Sequence, residues 1–569
     1  MRRFFLIATG VQLWVGQLAA APAPGTLSEP IPVDTLPYAL KLSTADAPSS
    51  NIDRYSCASS IDESGPERVF RFELPAAARV SAWVEESGSV DVDVHLLTDL
   101  NVTAGQATGC VSRGNRIAEA EMSAGTGYVV VDTFDGAAQA GTFVLRLYAI
   151  GDGWVEQVVA EGVRWRSRRY ADQSGGAQVV HLMALDLSAP GLRIEAHAAT
   201  GCQTVQTIGE ALGATAGVNG GYFGLGGGCP PVSLLKSGGT LVGTNSQSRG
   251  AFGIGPSGAP LIDVVAKGAD WPAASEAHGG GPVLVKQGKA TTASDWAAEN
   301  FTSSNFNGPN PRTWAGVDSS GAVLLGTVDG RRGNAAGMSL GALGGWIASS
   351  EVGGVEAVNL DGGGSSTLWI AGATPNGVVN YPSDNSNAEE PTHSGSRACS
   401  GGMFVFAPPY NHPPRFQTQP DTNASVGVQY VYDADALDLN VDDVLSFALL
   451  GSPSNMTVDA VSGEVRWTPV ETDPPNVNVR LVVSDNAGAD TEQAFTLSVA
   501  GGLGDPDAGA GAAPGDAGSA GATARPGGGG DDSGCACRSA PSSSSWPAGV
   551  WWLAAAAWCF RRRRRSALD

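Results

Sequence analysis

Basic residues are scarce in this sequence. It has 34 Lys and Arg against 56 Asp and Glu, a net charge of −22 over 569 residues. The one dense basic run, residues 561–565, lies at the C-terminal end. A nucleic-acid backbone requires a cationic protein face, so the composition argues against nucleic acid as a partner.

Several short signatures of catalysis and metal binding are also missing. No Gly-Lys-Ser/Thr motif closes a phosphate-binding loop, which excludes a nucleotide hydrolase of that class. No Gly-x-Ser-x-Gly surrounds Ser365 and Ser366, and only six histidines are available as bases, so a Ser-His-Asp hydrolase is disfavoured. No Cys-x-x-Cys or Cys/His cluster has the spacing of a zinc site.

Glycine, by contrast, is abundant, with 78 residues, and only 16% of the chain is charged. This composition is typical of loop-rich β proteins and not of helical bundles. A chain of 569 residues is too long for one hydrophobic core, so several domains are expected.

Both ends of the chain have the layout of targeting segments. Residues 1–23 have a basic start, an apolar stretch and small residues, which predicts a secretory signal peptide. Residues 501–534 are nearly all Gly, Ala, Asp, Pro and Ser and predict a disordered linker. Residues 535–569 combine Cys535 and Cys537 with a short apolar run and five arginines, and they resemble the MYXO-CTERM type of sorting tag. The resemblance implies export, processing at these cysteines by sorting machinery, and retention at the outer membrane or cell surface; a plain C-terminal membrane anchor is the alternative.

Export also bears on the remaining cysteines. In an oxidising compartment the five cysteines that precede the tag should mostly pair. Proximity in sequence favours Cys57 with Cys110 and Cys202 with Cys229, which leaves Cys399 unpaired.

Two segments alternate apolar and polar residues between turns, the pattern of antiparallel β-sandwiches. Residues 45–150 resemble the pre-peptidase C-terminal family of accessory domains, and residues 411–500 resemble immunoglobulin- or cadherin-like modules of bacterial surface proteins. Both contain aspartates that either bind structural calcium or form a solvated acidic surface: Asp91, Asp93, Asp433, Asp435, Asp442 and Asp443. No other cofactor is expected.

The intervening residues 151–408 contain two helix–strand–glycine units. Helices predicted over residues 204–212 and 339–349, the second with Ser339 as N-cap, each precede an apolar strand that ends in a polar glycine turn. These units predict an α+β domain built on a mixed sheet, with a site at the two turns and a β-sandwich on either side.

The second glycine turn reads Asn-Leu-Asp-Gly-Gly-Gly-Ser-Ser at residues 359–366. Three consecutive glycines indicate positive φ angles or close approach to the backbone, and free main-chain N–H groups bind anions. The Asp361 carboxylate, a group of N–H donors and two hydroxyls would suit an anionic sugar phosphate. A tight turn with an Asx cap explains the same residues without any ligand.

Five separated motifs occur in a fixed order: residues 219–223 (NGGYF), 311–313 (PRT), 328–331 (VDGR), 359–367 (NLDGGGSST) and 379–384 (VNYPSD), followed by Arg397. Their order and spacing resemble the phosphodiester glycosidase family. The resemblance implies an enzyme that cleaves the sugar–phosphate bond of a sugar phosphodiester, releasing the sugar and leaving a phosphomonoester.

The matched residues can be given roles in that reaction. Asp361 and Asp329 are the predicted pair of carboxylates for acid/base or nucleophilic work at the anomeric carbon. The predicted ligands of the phosphate and sugar are Arg312, Arg331, Arg397, Asn219, Asn359, Tyr222, Gly362, Gly363, Gly364, Ser365 and Ser366. No metal ligand is assigned to the site.

The leading hypothesis is an exported hydrolase acting on a glycosyl phosphodiester in a surface or extracellular glycan. The alternative is a non-catalytic surface glycan-binding or adhesion protein with a degenerate enzyme domain. The presence of both aspartates together with two arginines favours the enzyme, and a glycosidase acting on a neutral glycan would not need the arginines.

Overall fold

The computed structural model of the chain describes residues 25–86, 88–171, 176–301, 308–385 and 393–501. The predicted signal peptide, the linker beyond Gly501 and the sorting tag with Cys535 and Cys537 lie outside these residues. No helix within them is long and apolar enough to cross a membrane. The described chain is multidomain and mostly β, with a few short helices.

The N-terminal module is a sandwich of two main sheets. Its strands are β1 Ile31–Val33, β2 Tyr38–Ser43, β3 Arg54–Tyr55, β4 Arg68–Leu74, β5 Ala78–Glu86, β6 Val92–Leu97, β7 Val102–Thr103, β8 Gln106–Ala107, β9 Cys110–Gly114, β10 Ile117–Met122, β11 Gly125–Thr133 and β12 Thr142–Ile150. The sheet orders are β1-β4-β11-β6-β9 and β10-β5-β12-β2, and β3, β8 and β7 form a small third sheet. In β4, Phe70, Phe72 and Leu74 are buried in the core, whereas Arg71 and Glu73 between them are exposed, as strand alternation requires.

Strands β1 and β2 precede residue 45, where the first module is predicted to begin. β1 pairs in parallel with β4, and β2 pairs antiparallel with β12, so both belong to the sandwich. β1 has three residues and contains a proline, which makes its alternation too brief to identify from the sequence.

The central segment contains three sheets and three α-helices among its described residues. Its elements are β13 Val155–Ala160, β14 Val163–Ala171, β15 Ala177–Leu185, β16 Arg193–Gln203, α1 Val205–Leu212, β17 Ala216–Asn219, β18 Leu235–Ser237, β19 Thr240–Gly243, β20 Arg249–Ile254, β21 Pro260–Val265, β22 Glu276–Gly279, β23 Val283–Lys286, β24 Lys289–Ala290, α2 Ala293–Trp296, β25 Arg312–Asp318, β26 Val323–Val328, α3 Leu340–Ile347, β27 Gly354–Asn359, β28 Leu368–Ile370 and β29 Cys399–Phe406. The sheet orders are β13-β14-β15-β26-β25-β27-β23-β24, β16-β29-β17-β28 and β19-β18-β22-β20-β21.

The eight-stranded sheet is covered on both faces. Neighbouring residues along its strands enter different cores: Ala315 and Leu325 pack with the two smaller sheets, whereas Trp314 and Leu324 pack against helix α3. The central strands are therefore apolar on both sides, and they provide a rigid base for the loops at their ends.

The strand pairings of the central segment differ from the mixed sheet predicted from the sequence, because every pairing within the described part of this segment is antiparallel. Both predicted helix–strand units exist, and Thr204 and Ser339 cap α1 and α3 through their side chains. However, β17 and β27 belong to different sheets, so neither helix connects two neighbouring parallel strands.

The C-terminal module is a smaller sandwich. Its strands are β30 Arg415–Phe416, β31 Asn423–Ser425, β32 Tyr430–Asp433, β33 Ala436–Leu437, β34 Ser446–Gly451, β35 Thr457–Val458, β36 Glu464–Trp467, β37 Asn476–Ser484 and β38 Asp490–Ala500. They form sheets β31-β38-β37-β34 and β32-β36-β35 and the pair β30-β33. Trp467 packs against the alternating residues Val479, Leu481 and Val483 of β37.

Both predicted disulfides are confirmed. Cys57 is bonded to Cys110 at the start of β9, and Cys202 in β16 is bonded to Cys229. Cys399, the first residue of β29, is buried and is the one free cysteine in the described ranges.

Candidate active site

Two glycine turns of the central segment meet where β17, β25 and β27 end or begin. Just after β27, the Leu360 N–H donates to the Thr313 carbonyl oxygen (2.8 Å), and the Asp361 N–H donates to the Gly220 carbonyl oxygen (3.1 Å). Gly220 directly follows β17, and Thr313 is the second residue of β25. The loop after β27 is therefore held between segments from two different sheets.

A cavity of about 220 Å³ opens beside this loop. Its lining residues are Tyr222, Asn310, Arg312, Arg331, Asn359, Asp361, Gly362, Gly363 and Arg397. All of them except Asn310 are named for the site from the sequence. Four of the five motifs thus contribute residues to the cavity, and so does Arg397. The motif that ends at Asp384 contributes none.

Each of the three glycines at positions 362–364 is required for a different steric reason. Gly363 has a φ angle of 65°, in the left-handed region. A Cβ on Gly362 would lie 2.8 Å from the Pro311 carbonyl oxygen, and a Cβ on Gly364 would lie 2.1 Å from a carboxylate oxygen of Asp384. The glycine run therefore permits close packing of two neighbouring segments against the loop.

The backbone N–H groups of the loop are mostly used within the protein, unlike the anion-binding set expected from the sequence. Those of Gly362 and Gly363 donate to Asp361 Oδ1 (2.9 Å) and to the Pro311 carbonyl oxygen (3.0 Å). Those of Ser365 and Ser366 donate to carbonyl oxygens of the preceding glycines (3.3 and 3.2 Å). Both serines are buried and lie outside the lining of the cavity.

Asp361 supplies the one carboxylate among the described residues that line the cavity. Burial raises the pKa of Asp361 to about 6, and the Ser365 hydroxyl, the Gly362 N–H and the Arg397 cation, in that order, limit the rise. The group is therefore mostly ionised at neutral pH but readily protonated in mild acid.

Arg312 and Arg331 supply two cations of the cavity. Arg312 is 6% exposed, and its guanidinium donates to the carbonyl oxygens of Met338 and Gly308 (2.9 Å each). Burial lowers the pKa of Arg312 to about 10, which leaves it charged at neutral pH. Arg331 is exposed, has a φ angle of 61°, and is oriented by two hydrogen bonds to Asn310 Oδ1 (3.2 and 3.0 Å).

Arg397 supplies the third cation and forms a bidentate ion pair with Asp384 (2.7 and 3.0 Å). Its backbone N–H donates to the Gly364 carbonyl oxygen (3.3 Å). When Asp361 and Asp384 are both ionised, three guanidinium groups face two carboxylates. The site then carries a net charge of about +1, which favours a monoanion.

Asn359 lines the cavity and is hydrogen-bonded to Tyr222 beside it. Its Nδ2 donates to the Tyr222 hydroxyl oxygen (3.0 Å) and to the Gly281 carbonyl oxygen (3.0 Å). Its Oδ1 is buried and has no hydrogen-bond partner among the residues that the structure describes. The bonds of Nδ2 hold the amide in place, and the buried Oδ1 without a partner costs free energy.

Asn219, by contrast, does not line the cavity. Its Oδ1 accepts from the Thr313 hydroxyl (2.7 Å) and the Thr367 N–H (3.0 Å), and its Nδ2 donates to the Asp361 carbonyl oxygen (2.8 Å). The side chain is fully used in holding the loop, so the predicted contact of Asn219 with a sugar is replaced by a structural one.

Asp329 is also placed elsewhere. It is 1% exposed, its Oδ1 accepts from the Tyr381 N–H (3.0 Å), and its Oδ2 has no hydrogen-bond partner within the described chain. Burial raises the pKa of Asp329 to about 7, and cations including Arg79 and His393 oppose the rise. The structure therefore does not bring Asp329 and Asp361 together in one cavity.

Two residues of the site receive no role from the sequence. Asn310 directly precedes the Pro-Arg-Thr motif, and Asp384 ends the motif at residues 379–384. Their positions inside or beside matched motifs are the only signal, because an orienting contact with an arginine has no sequence pattern of its own.

Comparison with known protein families identifies the type of domain in the central segment. Residues 212–401 match the sequence model of the phosphodiester glycosidase family, and all nine residues that line the cavity lie within that range. This stretch is a phosphodiester glycosidase domain. Residues 413–500 match the model of a putative Ig domain, so the C-terminal module is Ig-like.

No curated protein matches the chain. Among solved structures, the chain is similar to the catalytic domain of zebrafish N-acetylglucosamine-1-phosphodiester alpha-N-acetylglucosaminidase auto-inhibited by its pro-peptide, with 22% identity over 45% of this chain and 86% of that chain and a TM-score of 0.34. A hypothetical protein from Synechocystis matches with 17% identity over 60% and 79% of the two chains and a TM-score of 0.37. The pre-peptidase C-terminal domain of a Bacillus anthracis collagenase matches with 16% identity over 20% and 91% and a TM-score of 0.14.

A separate group of carboxylates lies in the Ig-like module, outside the glycosidase domain. Ligand atoms of Asp438, Asp443 and Asp485 all lie within 4.8 Å of one another. Asp438 is 7% exposed, and its Oδ2 has no hydrogen-bond partner among the described residues. Of the aspartates that the sequence names for calcium, only Asp443 belongs to this group, and Asp93 instead forms an ion pair with Arg113.

The packing of the glycine loop generates a stability prediction. Gly364→Ala places a methyl group against the Asp384 carboxylate and is expected to lower the free energy of unfolding by about 1–3 kcal/mol. Gly345→Ala is the control, because a Cβ at that exposed position of α3 meets nothing within 4 Å; it is expected to stabilise by up to about 1 kcal/mol. Denaturant unfolding of the full chain measures both. Equal stability of the two variants would contradict the close approach of Asp384.

Proposed function

We propose that the chain is an exported hydrolase that cleaves the sugar–phosphate bond of a glycosyl phosphodiester in a surface or extracellular glycan. One observation carries the proposal: the Asp361 carboxylate, partly buried, shares a cavity with three guanidinium groups. A phosphodiester has one negative charge, which matches the net charge of this site. The family match of residues 212–401 supports the same class of reaction.

The arginines act on the leaving group in this reaction. The bond between the anomeric carbon and the phosphate oxygen breaks, and its electron pair departs with the phosphate. Arg331 and Arg397 stabilise the charge that collects on the phosphate oxygens through charge-assisted hydrogen bonds. A phosphomonoester leaves readily without a proton, so a second carboxylic acid is not required, in agreement with the position of Asp329 outside the cavity.

Asp361 acts on the anomeric carbon in one of two ways. As a general base it accepts a proton from a water whose oxygen bonds to that carbon, which inverts the configuration. As a nucleophile it bonds to the carbon itself, and water then releases the sugar with retained configuration. Both routes use the ionised carboxylate, and the anomer that appears first in the NMR spectrum of the product distinguishes them.

The proposed enzyme keeps the three domains expected from the sequence, but its first module starts earlier. A catalytic domain at residues 151–408, with antiparallel sheets and few helices, is flanked by a sandwich module that begins at β1 and ends at residue 150 and by a second module at residues 411–500. The modules carry no chemistry in this proposal and would contact or space the glycan. The alternative, a non-catalytic adhesion protein, uses the same modules, but it gives no reason to hold an ionisable carboxylate among three cations.

The first prediction of this proposal concerns Asp361. The full chain is expected to release sugar from UDP-N-acetylglucosamine or an aryl phosphodiester sugar, but not from the matching neutral aryl glycoside. Asp361→Asn should lower kcat by more than about a thousandfold without unfolding the protein.

Because protonation of Asp361 near pH 6 removes the active form, kcat/KM of the unmodified protein should fall about tenfold per pH unit below that value.

The matched control for this prediction is Asp263→Asn, which removes an exposed carboxylate from β21 of the same domain and should leave kcat unchanged. Full activity of a folded Asp361→Asn protein would remove Asp361 from the mechanism. Equal turnover of the neutral glycoside would remove the phosphate from the substrate.

We also propose that the Ig-like module binds structural calcium through Asp438, Asp443 and Asp485. Burial, Asp443 and Asp485 raise the pKa of Asp438, and a cation bound between the three carboxylates would favour its ionised form. Asp485 Oδ2 also accepts from Asn411 Nδ2 (2.9 Å) in the segment that leads into the module. A cation here would stiffen the junction with the glycosidase domain.

Calcium titration of the full chain tests this assignment. The midpoint of thermal unfolding of the module should rise with calcium, since a concentration of about 100 times Kd stabilises by about 2.7 kcal/mol. Asp438→Asn should abolish the shift, and Asp433→Asn, at an exposed position of β32, should not. A shift of equal size in both variants would place the calcium elsewhere.

Export is the remaining part of the proposal, and the two disulfides support it because such bonds persist in oxidising compartments. The mature protein is expected to lack roughly the first 20–25 residues and the segment after about Cys535–Cys537, and to be held at the outer surface. Mass spectrometry of the protein recovered from cells decides this. An intact C-terminus at Asp569 would contradict processing and leave a plain anchor.

A further inference from the structure

A buried ion pair joins the N-terminal module to the glycosidase domain. Glu119 Oε1, on strand β10, lies 3.0 Å from His393 Nε2, and each side chain is only 6% exposed. His393 Nδ1 lies 3.0 Å from the Asn380 carbonyl oxygen. A carboxylate and a carbonyl oxygen both only accept hydrogen bonds, so both ring nitrogens must carry protons. His393 is therefore an imidazolium that Glu119 neutralises.

The two charges depend on each other. Burial alone would lower the pKa of His393, but Glu119 and the Asn380 carbonyl oxygen outweigh burial and raise it above its usual value. Burial would raise the pKa of Glu119, but His393 and the Arg79 cation outweigh it and lower that pKa. Removing either member leaves the other charge buried without its partner.

His393 leads from this pair to the loop beside the cavity. Its ring stacks on Tyr381 with the ring centres 4.4 Å apart. The side chain of Asn380, whose carbonyl binds His393, accepts from the Leu368 N–H (2.7 Å) and donates to the Ser366 carbonyl oxygen (3.0 Å). The chain just after the three glycines is thereby fixed to the residues that surround His393.

The same two stretches of chain meet again at the cavity. Asp384 follows Tyr381 closely in sequence, and Arg397 follows His393, and these two side chains form the bidentate ion pair of the site. Residues 380–384 and 393–397 are thus joined at two points, His393 with Asn380 and Arg397 with Asp384. Glu119 supports the first point, and the second carries a cation of the cavity.

We propose that Glu119 of the N-terminal module is a positioning residue for the cavity of the glycosidase domain. Through His393 it holds residues 393–397 where Arg397 can contact the phosphate group of a substrate. The inference rests on the proposed function, which gives Arg397 that role. It also implies that residues 151–408 alone lack a part of the catalytic unit, because Glu119 comes from the module before them.

The test compares Glu119→Gln, His393→Gln and the double variant in the full chain. KM and kcat are measured with a glycosyl phosphodiester across pH, and hydrogen exchange of residues 393–398 is measured by mass spectrometry without substrate. Glu119→Gln is expected to raise KM about tenfold and to lower kcat as well, because Arg397 contacts the phosphate of the bound substrate and stabilises the charge that collects there as the bond breaks. Without Glu119, only the Asn380 carbonyl oxygen and Asp329 favour the protonated form of His393, so His393 loses its proton more easily and the KM of this variant should rise further as the pH increases from 6 to 8.

Two comparisons separate positioning from general destabilisation. Glu73→Gln removes an exposed carboxylate of β4 in the same module and should leave KM, kcat and the exchange of residues 393–398 unchanged. The double variant should be no worse than the poorer single variant, since the two residues act as one pair. It also removes both charges together and so serves as the folded test protein where a single variant does not fold.

Faster exchange at residues 393–398 together with the raised KM supports the inference. Unchanged KM and exchange in both single variants, fully additive effects in the double variant, or an equal effect of Glu73→Gln would each overturn it. A full chain that releases no sugar from any phosphodiester would overturn the proposed function instead. The substrate-free exchange measurement would then still decide whether Glu119 holds residues 393–397.

Discussion

The side chain of Asn219 is the contact on which the geometry of the site depends. Its amide binds the Thr313 hydroxyl, the Thr367 N–H and the Asp361 carbonyl oxygen, so it joins the end of β17, the start of β25 and the loop after β27. A buried amide that makes all of its hydrogen bonds tolerates little movement of its partners. The position of the Asp361 carboxylate relative to the arginines follows from this arrangement.

The electrostatics of the cavity build on that fixed backbone. Desolvation disfavours the Asp361 carboxylate, and hydrogen bonds from Ser365 and the Gly362 N–H oppose this effect, followed by the Arg397 cation. Arg397 is itself oriented by Asp384, and Arg331 is oriented by Asn310. Charge-assisted contacts of this kind are effective only when the donors are held in place. Here the side-chain amide of Asn310 holds Arg331, and the Asp384 carboxylate holds Arg397.

The sequence predicts which residues line the cavity better than it predicts what each of these residues does. Seven of the nine residues that line the cavity lie in the motifs, and an eighth, Arg397, is named as following them, because motifs preserve the order of residues that approach one ligand. The separation of Asp329 from Asp361 cannot be read from spacing, since it depends on which way the chain turns after β26. The predicted backbone anion cradle is likewise replaced by close packing, because a glycine run has the same sequence whether a ligand or a neighbouring segment approaches it.

The fold, like the site, is predicted by the sequence only in part. Capped helices α1 and α3 and the alternating strands of both sandwiches are local features, and they lie where the sequence predicts them. The pairing of β17 with β28 and β29, and of β27 with β23 and β25, is a long-range choice that decides between antiparallel and mixed sheets. The local periodicity of the sequence does not indicate which strands pair with each other.

The ion pair between Glu119 and His393 links positions 274 residues apart, and this has a consequence for the order of folding. The N-terminal module emerges and can fold first, while the histidine that neutralises its interface carboxylate is still to be made. Until then Glu119, on the edge strand β10, lacks its buried partner. The contact between the two domains at Glu119 is therefore completed only after His393 has been synthesised, and a chain truncated before His393 would leave Glu119 without this partner.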